Sequence, residues 1–108
     1  MRLVILESPY AGDVEGNVLY ARACLRDSLL RGEAPIASHL LYTQAGVLDD
    51  ALPVERVLGI DAGLAWRKVA QAAVFYVDLG WSNGMIAARE LYIRENFQWE
   101  VRSLEAAA

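Results

Sequence analysis

The stretch Leu3-Val4-Ile5-Leu6 decides the fold. Four apolar residues in succession, without polar alternation, suit a strand covered on both faces of a parallel sheet, because a half-exposed strand turns every second side chain to water. A second run of the same kind, Ala72-Ala73-Val74-Phe75-Tyr76-Val77, predicts a second buried strand. Two such strands belong side by side at the centre of the sheet.

Outward from the first run, Ser8-Pro9-Tyr10-Ala11-Gly12-Asp13 combines Pro, Gly and Asp, so the chain leaves the strand through a shaped turn. Over residues 17–31, Val18, Ala21, Leu25, Ser28 and Leu29 recur at helical spacing, and Gly32 closes the helix. Residues 34–37 suit a second strand. The segment from Ser38 through His39, Tyr42 and Gln44 to Asp49-Asp50 has no clean period and reads as a long loop. Pro53 fits the first turn of a helix that Asp50 or a neighbour would cap, with Val54, Val57, Leu58, Leu64, Ala65 and Val69 as its apolar residues. After the Ala72 run, residues 78–84 form a strand-to-helix turn in which Ser82 or Asn83 caps a helix through Ile86, Leu91 and Ile93. Residues 99–104 supply a last, edge strand.

The alternation β-α-β-α-β-α-β predicts an α/β fold: a flavodoxin-like (Rossmann-like) parallel sheet of four or five strands in the order 2-1-3-4, with helices on both faces. A chain of 108 residues has the size of one domain, here residues 1–104, and the closing Glu105-Ala106-Ala107-Ala108 reads as a tail. Hydrophobic residues make up 56% and charged residues 22%, enough apolar material for a packed core and too much for a disordered chain. The net charge of -4 gives no bulk attraction to nucleic acid polymers or to an anionic membrane surface. With Cys24 the only cysteine and His39 the only histidine, neither a disulfide framework nor a zinc site is expected, and no metal or other cofactor is predicted. The opening apolar run is shorter than the ~7 to 15 residues of a signal-peptide core, and no segment approaches the ~20 of a membrane helix. A cytoplasmic location is the expectation.

In open parallel sheets ligands bind beyond the carboxyl ends of the strands where the strand order reverses, here between the first and third strands. That rule gathers three loops: residues 8–13, 39–50 and 78–85. The first offers the Glu7 carboxylate, the Ser8 hydroxyl, Pro9, the Tyr10 ring and Gly12, a set equally compatible with an ordinary tight turn. His39 can hydrogen-bond a base or sugar with Tyr42 and Gln44 behind it, or serve the structure alone. Asp78 ends a central strand, where carboxylates contact ligand hydroxyls or cap a turn. Ser82, Asn83, Gly84 and Met85 start a helix whose free N–H groups suit an anion. No Walker loop and no Gly-x-Gly-x-x-Gly follows the first strand. Cys24 reads as a buried, inert thiol, and Trp66, Trp81 and Trp99 as core or interface residues, with Trp81 close enough to the site loop to contact a ligand.

Taken in order, Ser8-Pro9-Tyr10-x-Gly12, Asn17 with Ala21-Arg22, Pro35-Ile36-Ala37-x-His39-Leu40, Leu48-Asp49-Asp50, Glu55-Arg56, and Ser82-x-Gly84-Met85 with Glu90 resemble the small phage and bacterial proteins related to nucleoside 2-deoxyribosyltransferases. The resemblance runs along nearly the whole chain. It implies a flavodoxin-like fold and a nucleoside, a nucleotide or a nucleotide-derived signal in the cleft. In the active transferases it also implies a glutamate that attacks the sugar C1′ and displaces the base. The chain departs from that pattern at the nucleophile, because the position three residues after Met85 is Ala88. Glu90 lies two residues on, turned by about 200° around a helix, and does not inherit the role by position. The expectation is therefore a binding protein, with or without catalysis. The alternative is an active deoxyribosyltransferase or nucleotide N-glycosidase that uses Asp78 or Glu90. The abundance of aromatic residues adds the expectation of a homodimer or higher homo-oligomer with Trp66 or Tyr92 at the contact, in the bacterial cytoplasm or in the host cytoplasm if phage-encoded.

Overall fold

The computed structural model describes residues 1–104, so the tail expected at 105–108 lies outside the described residues. The elements run β1 (Arg2–Glu7), α1 (Val14–Leu30), β2 (Glu33–Ile36), α2 (Ser38–Leu41), α3 (Pro53–Ala65), a 3-10 turn (Trp66–Lys68), β3 (Ala72–Tyr76), α4 (Asn83–Arg94) and β4 (Trp99–Arg102). The four strands form one parallel sheet in the order β2-β1-β3-β4, the flavodoxin-like arrangement that the apolar runs predicted. Ile5 stands opposite Ile36 on one side and Ala73 on the other, and Ala73 opposite Trp99.

Alternation along the strands divides the core into two layers. Val4, Leu6, Val74 and Tyr76 pack with Cys24 on the α1 side. Ile5, Ala73 and Phe75 pack with Met85 and Tyr92 of α4 on the other side, and Leu64 of α3 joins them. Every residue of β3 is fully buried. On the α1 side, the Arg102 guanidinium from one edge strand grips the Glu33 carboxylate from the other, with Nη1 donating to Oε1 at 2.6 Å and Nη2 to Oε2. Ser28 Oγ donates to Glu33 as well, at 2.8 Å. Arg102 and Ser28 together hold the Glu33 carboxyl below the usual carboxylate range.

Several boundaries differ from the sequence reading for local reasons. The first helix starts at Val14, three residues before the expected start at 17, because the Asp13 carboxylate accepts from the Gly16 backbone N–H and caps it. Gly32 follows with φ of 83°, a left-handed turn that glycine adopts without cost. Residues 38–41, expected as loop, form the single turn α2. Pro53 begins α3, but Leu52 occupies the cap position with no side-chain bond, and Asp50 pairs instead with Arg56 at 2.7 Å. Of the apolar residues of α3, Leu64 reaches the core, but Val54 is 83% exposed, and Val57 and Leu58 are each 57% exposed. Gly63 alone in this helix is buried. Tyr92 is fully buried and so cannot lie at a subunit contact, whereas Trp66 remains 40% exposed. No helix among the described residues is long and apolar enough to cross a membrane.

Candidate ligand-binding cavity

A cavity of about 590 Å³ opens beyond the carboxyl ends of β1 and β2, between α3 and α4. Its size falls within the range of about 300 to 1,000 Å³ typical of small-molecule sites. The end of β1 brings Glu7 to its lining, the following turn adds Ser8, Tyr10 and Gly12, and α2 with its exit adds His39 and Tyr42. The start of α4 contributes Ser82, Asn83, Gly84 and Met85, and its next turns contribute Ala88 and Tyr92. Of the expected ligand contacts, Ser8, Tyr10, Gly12, His39, Tyr42, Ser82, Asn83, Gly84 and Met85 thus share one wall-to-wall space.

The loop after β1 keeps its shape through Asn17, whose Nδ2 reaches back from α1 to donate to the carbonyls of Tyr10 at 3.0 Å and Ala11 at 3.1 Å. Gly12 has φ of 96°, a left-handed conformation that turns the chain toward the capping Asp13. Ser8 Oγ and His39 Nε2 are 2.7 Å apart and hydrogen-bonded. Burial pushes the His39 imidazole down to about 4, so the ring is neutral at physiological pH. Tyr42 accepts a hydrogen bond from Trp66 Nε1 at 3.0 Å, which ties the exit of α2 to the turn after α3. Tight packing joins the same two helices, since a Cβ on Gly63 would stand 2.3 Å from Ser38 Oγ. Across the cavity Ser82 Oγ accepts from the Met85 backbone N–H at 3.2 Å, capping α4 and leaving the exposed Asn83 and Gly84 at its mouth.

Three expected site residues stand elsewhere. Asp78 does not line the cavity; it accepts from the Tyr20 hydroxyl at 2.6 Å, the Leu104 backbone N–H at 3.0 Å and the Ser103 hydroxyl, which locks the end of β3 to α1 and to the chain after β4. Glu90 is exposed and does not line the cavity, whose wall includes Ala88 and Leu91. Pro9 is buried behind the turn rather than in the cavity. Trp81 also turns inward: it packs on Phe75 with ring centroids 5.0 Å apart, and the Arg89 guanidinium lies over its ring at 4.5 Å. Cys24 is fully buried, and burial pushes its thiol up to about 12, which leaves it inert.

Glu7, whose carboxylate the sequence offered with the first loop but not among the catalytic candidates, lines the cavity. It follows Ile5 at the strand period of two and so faces α4, where its Oε2 accepts from the Tyr92 hydroxyl at 2.6 Å. Burial pushes its carboxyl up to about 7, while the Tyr92 bond acts in the opposite direction. The signal for it in the sequence was its parity with Ile5 at the end of a central strand. Among the described residues no group of three or more His, Cys, Asp or Glu side chains is placed to hold a metal ion.

Fold and cavity together define a small doubly wound α/β protein with a ligand-sized space beyond the carboxyl end of its central strand β1. The chain belongs to the family described as Domain of unknown function (DUF7768), which matches residues 2–102. No curated protein matches it.

Proposed function

We propose that the protein binds a nucleoside, a nucleotide or a nucleotide-derived signal in this cavity. The observation that carries the reading is the convergence, on one space of about 590 Å³, of nine of the residues expected at a ligand from the three loops beyond the strand ends: Ser8, Tyr10, Gly12, His39, Tyr42, Ser82, Asn83, Gly84 and Met85. The chemistry of the lining agrees with it. Tyr10 and Tyr42 offer flat faces to a heterocycle, the Ser8–His39 pair offers hydroxyl and imidazole partners to a sugar, and the amides of Asn83 and Gly84 at the start of α4 suit an anionic group. Catalysis through Asp78 or Glu90 has no geometric support, because neither carboxylate reaches the cavity.

The same reading includes a homo-oligomer. Its support is now the apolar surface of α3, where Val54, Val57 and Leu58 are exposed beside the cavity wall, rather than Tyr92. Light scattering that gives 11.9 kDa at every concentration would refute this part. The binding itself is tested by isothermal titration with nucleosides, their 5′-monophosphates and cyclic nucleotides. Saturable heat with at least one class, reduced by Tyr10→Ala, is the expected result, and its absence with all of them refutes the proposal.

A further inference from the structure

Ser8 is bonded differently from the other serines whose side chains hydrogen-bond. Ser28 and Ser103 give their hydroxyls to the Glu33 and Asp78 carboxylates, and Ser82 caps α4. Among the described residues Ser8 Oγ bonds only the His39 imidazole, 2.7 Å away at Nε2. Ser8 is 6% exposed, yet both residues line the cavity, so the hydroxyl is shielded from bulk solvent and reachable by a ligand. α2, which carries His39, is pinned at three points: Thr43 Oγ1 donates to the His39 carbonyl at 2.6 Å, Ser38 fits against Gly63, and Tyr42 accepts from Trp66. The imidazole Nδ1 has no partner among the described residues, and none of their buried side-chain polar atoms lacks one, so Nδ1 reaches solvent. With its proton on Nδ1, toward water, the neutral ring accepts at Nε2 from the Ser8 hydroxyl. A base so placed takes the proton of a hydroxyl as it attacks.

Two further features of the cavity fit attack on a carbonyl carbon. The backbone N–H groups of Asn83 and Gly84, in the first turn of α4, have no partner among the described residues and belong to the same lining, where they suit a developing oxyanion. Between α3 and α4 the lining becomes apolar, with Ile60, Leu64, Ala88 and Leu91, a path for an acyl chain.

We propose that Ser8 is a nucleophile with His39 as its general base, and that the cavity hydrolyses activated acyl compounds, aryl esters or thioesters, through an acyl-Ser8 intermediate. The Ser8 oxygen adds to the carbonyl carbon while its proton passes to His39 Nε2, and the carbonyl π pair moves onto oxygen. Collapse restores the C=O bond and expels the alcohol or thiol, which takes the proton from His39. Water then adds to the acyl carbon, gives a proton to Nε2, and the Ser8 oxygen leaves with that proton. One water is consumed, an acid and an alcohol or thiol are formed, and no oxidant or reductant is needed. Burial, which pushes His39 down to about 4, makes the ring a weak base and its protonated form a ready acid, so the pair suits leaving groups that depart with little assistance. This activity is separate from the nucleoside reading and shares only the cavity with it.

The test uses the full chain. Native protein is incubated with a fluorophosphonate, which phosphonylates activated serines, and its intact mass and peptide map are recorded. p-Nitrophenyl acetate, butyrate and octanoate are assayed for release of p-nitrophenolate, and a nitrogen NMR spectrum reports which imidazole nitrogen carries the proton. The expected results are a single adduct on Ser8, faster hydrolysis of butyrate or octanoate than of acetate, and an unprotonated Nε2. Ser8→Ala should abolish the adduct and reduce hydrolysis to background, and His39→Gln should slow both by about 100-fold. Ser8→Cys, which puts a thiol in the same place, should again form an acyl-enzyme detectable by mass. Circular dichroism confirms that each variant is folded, and the native adduct and the NMR spectrum need no variant. Ser8 unlabelled in native protein, undiminished labelling of His39→Gln, or a proton on Nε2 overturns the proposal, and a preference for acetate overturns the placing of the acyl chain. The titration that tests the nucleoside reading uses neither ester nor fluorophosphonate, so each reading fails on its own measurement.

Discussion

Glu7 and His39 share a cavity and depart from their ordinary pKa values in opposite directions, and their effects on stability should cancel. Folding raises Glu7 from 4.5 to about 7, so the stability it contributes is complete below pH 4.5 and lost as pH rises to 7. Folding lowers His39 from 6.5 to about 4, so its contribution is complete above pH 6.5 and lost as pH falls to 4. Between pH 5 and 6.5 unfolding releases one proton from Glu7 and takes one up at His39, each worth about 1.4 kcal/mol per pH unit. The native protein should therefore show nearly flat stability across that window. Glu7→Gln removes one arm: relative to native protein, its stability should climb by about 2 kcal/mol from pH 5 to 6.5. His39→Gln should show the opposite slope of similar size. The lowered carboxyls of Asp27, Glu33 and Glu100 titrate below this window and do not mask the effect. The assay is urea unfolding followed by tryptophan fluorescence at four pH values. A Glu7→Gln variant as pH-independent as the native protein, or a pair of variants with slopes of the same sign, would refute the reasoning.

Asp78→Ala should cost about 2 to 4 kcal/mol in urea unfolding, since it strips acceptors from Tyr20, Ser103 and the Leu104 amide, while ligand affinity changes little because Asp78 lies outside the cavity. Asn17→Ala should cost about 1 to 2 kcal/mol by the same measurement and should raise hydrogen exchange in residues 8–13, whose carbonyl contacts it removes. Gly63→Ala should destabilise by about 1 to 3 kcal/mol, because the new methyl would overlap the Ser38 side chain and push α2 from α3; an unchanged midpoint would show that the two helices separate freely.

The topology was legible because hydrophobic runs report burial on both faces. Leu3 to Leu6 and Ala72 to Val77 carry no polar alternation, and that alone placed β1 and β3 together at the sheet centre. The site loops followed from the topology, since strand ends at the order reversal converge wherever the intervening helices permit. What misled the reading was charge at a strand end. Asp78 looks like a ligand contact by position, and only the folded chain reveals that Tyr20, Ser103 and Leu104 already hold it. α3 misled in another way: its apolar residues suggested a core face, but the helix turns only Gly63 and Leu64 inward and leaves Val54, Val57 and Leu58 to water or to a partner.

The sequence by itself determined the parallel sheet, its strand order and the loops that meet beyond it, because each depends on local pattern: period, turn residues and caps. Only the tertiary structure decided which carboxylate faces the cavity. Glu7, Asp78 and Glu90 are equally acidic as letters, yet Glu7 alone is carried inside, by its parity with Ile5 and by Tyr92 arriving from the far end of the chain. Ionisation follows the same rule, for burial is a property of neighbours brought together by folding, and it moves Glu7 and His39 in opposite directions although both lie on one cavity.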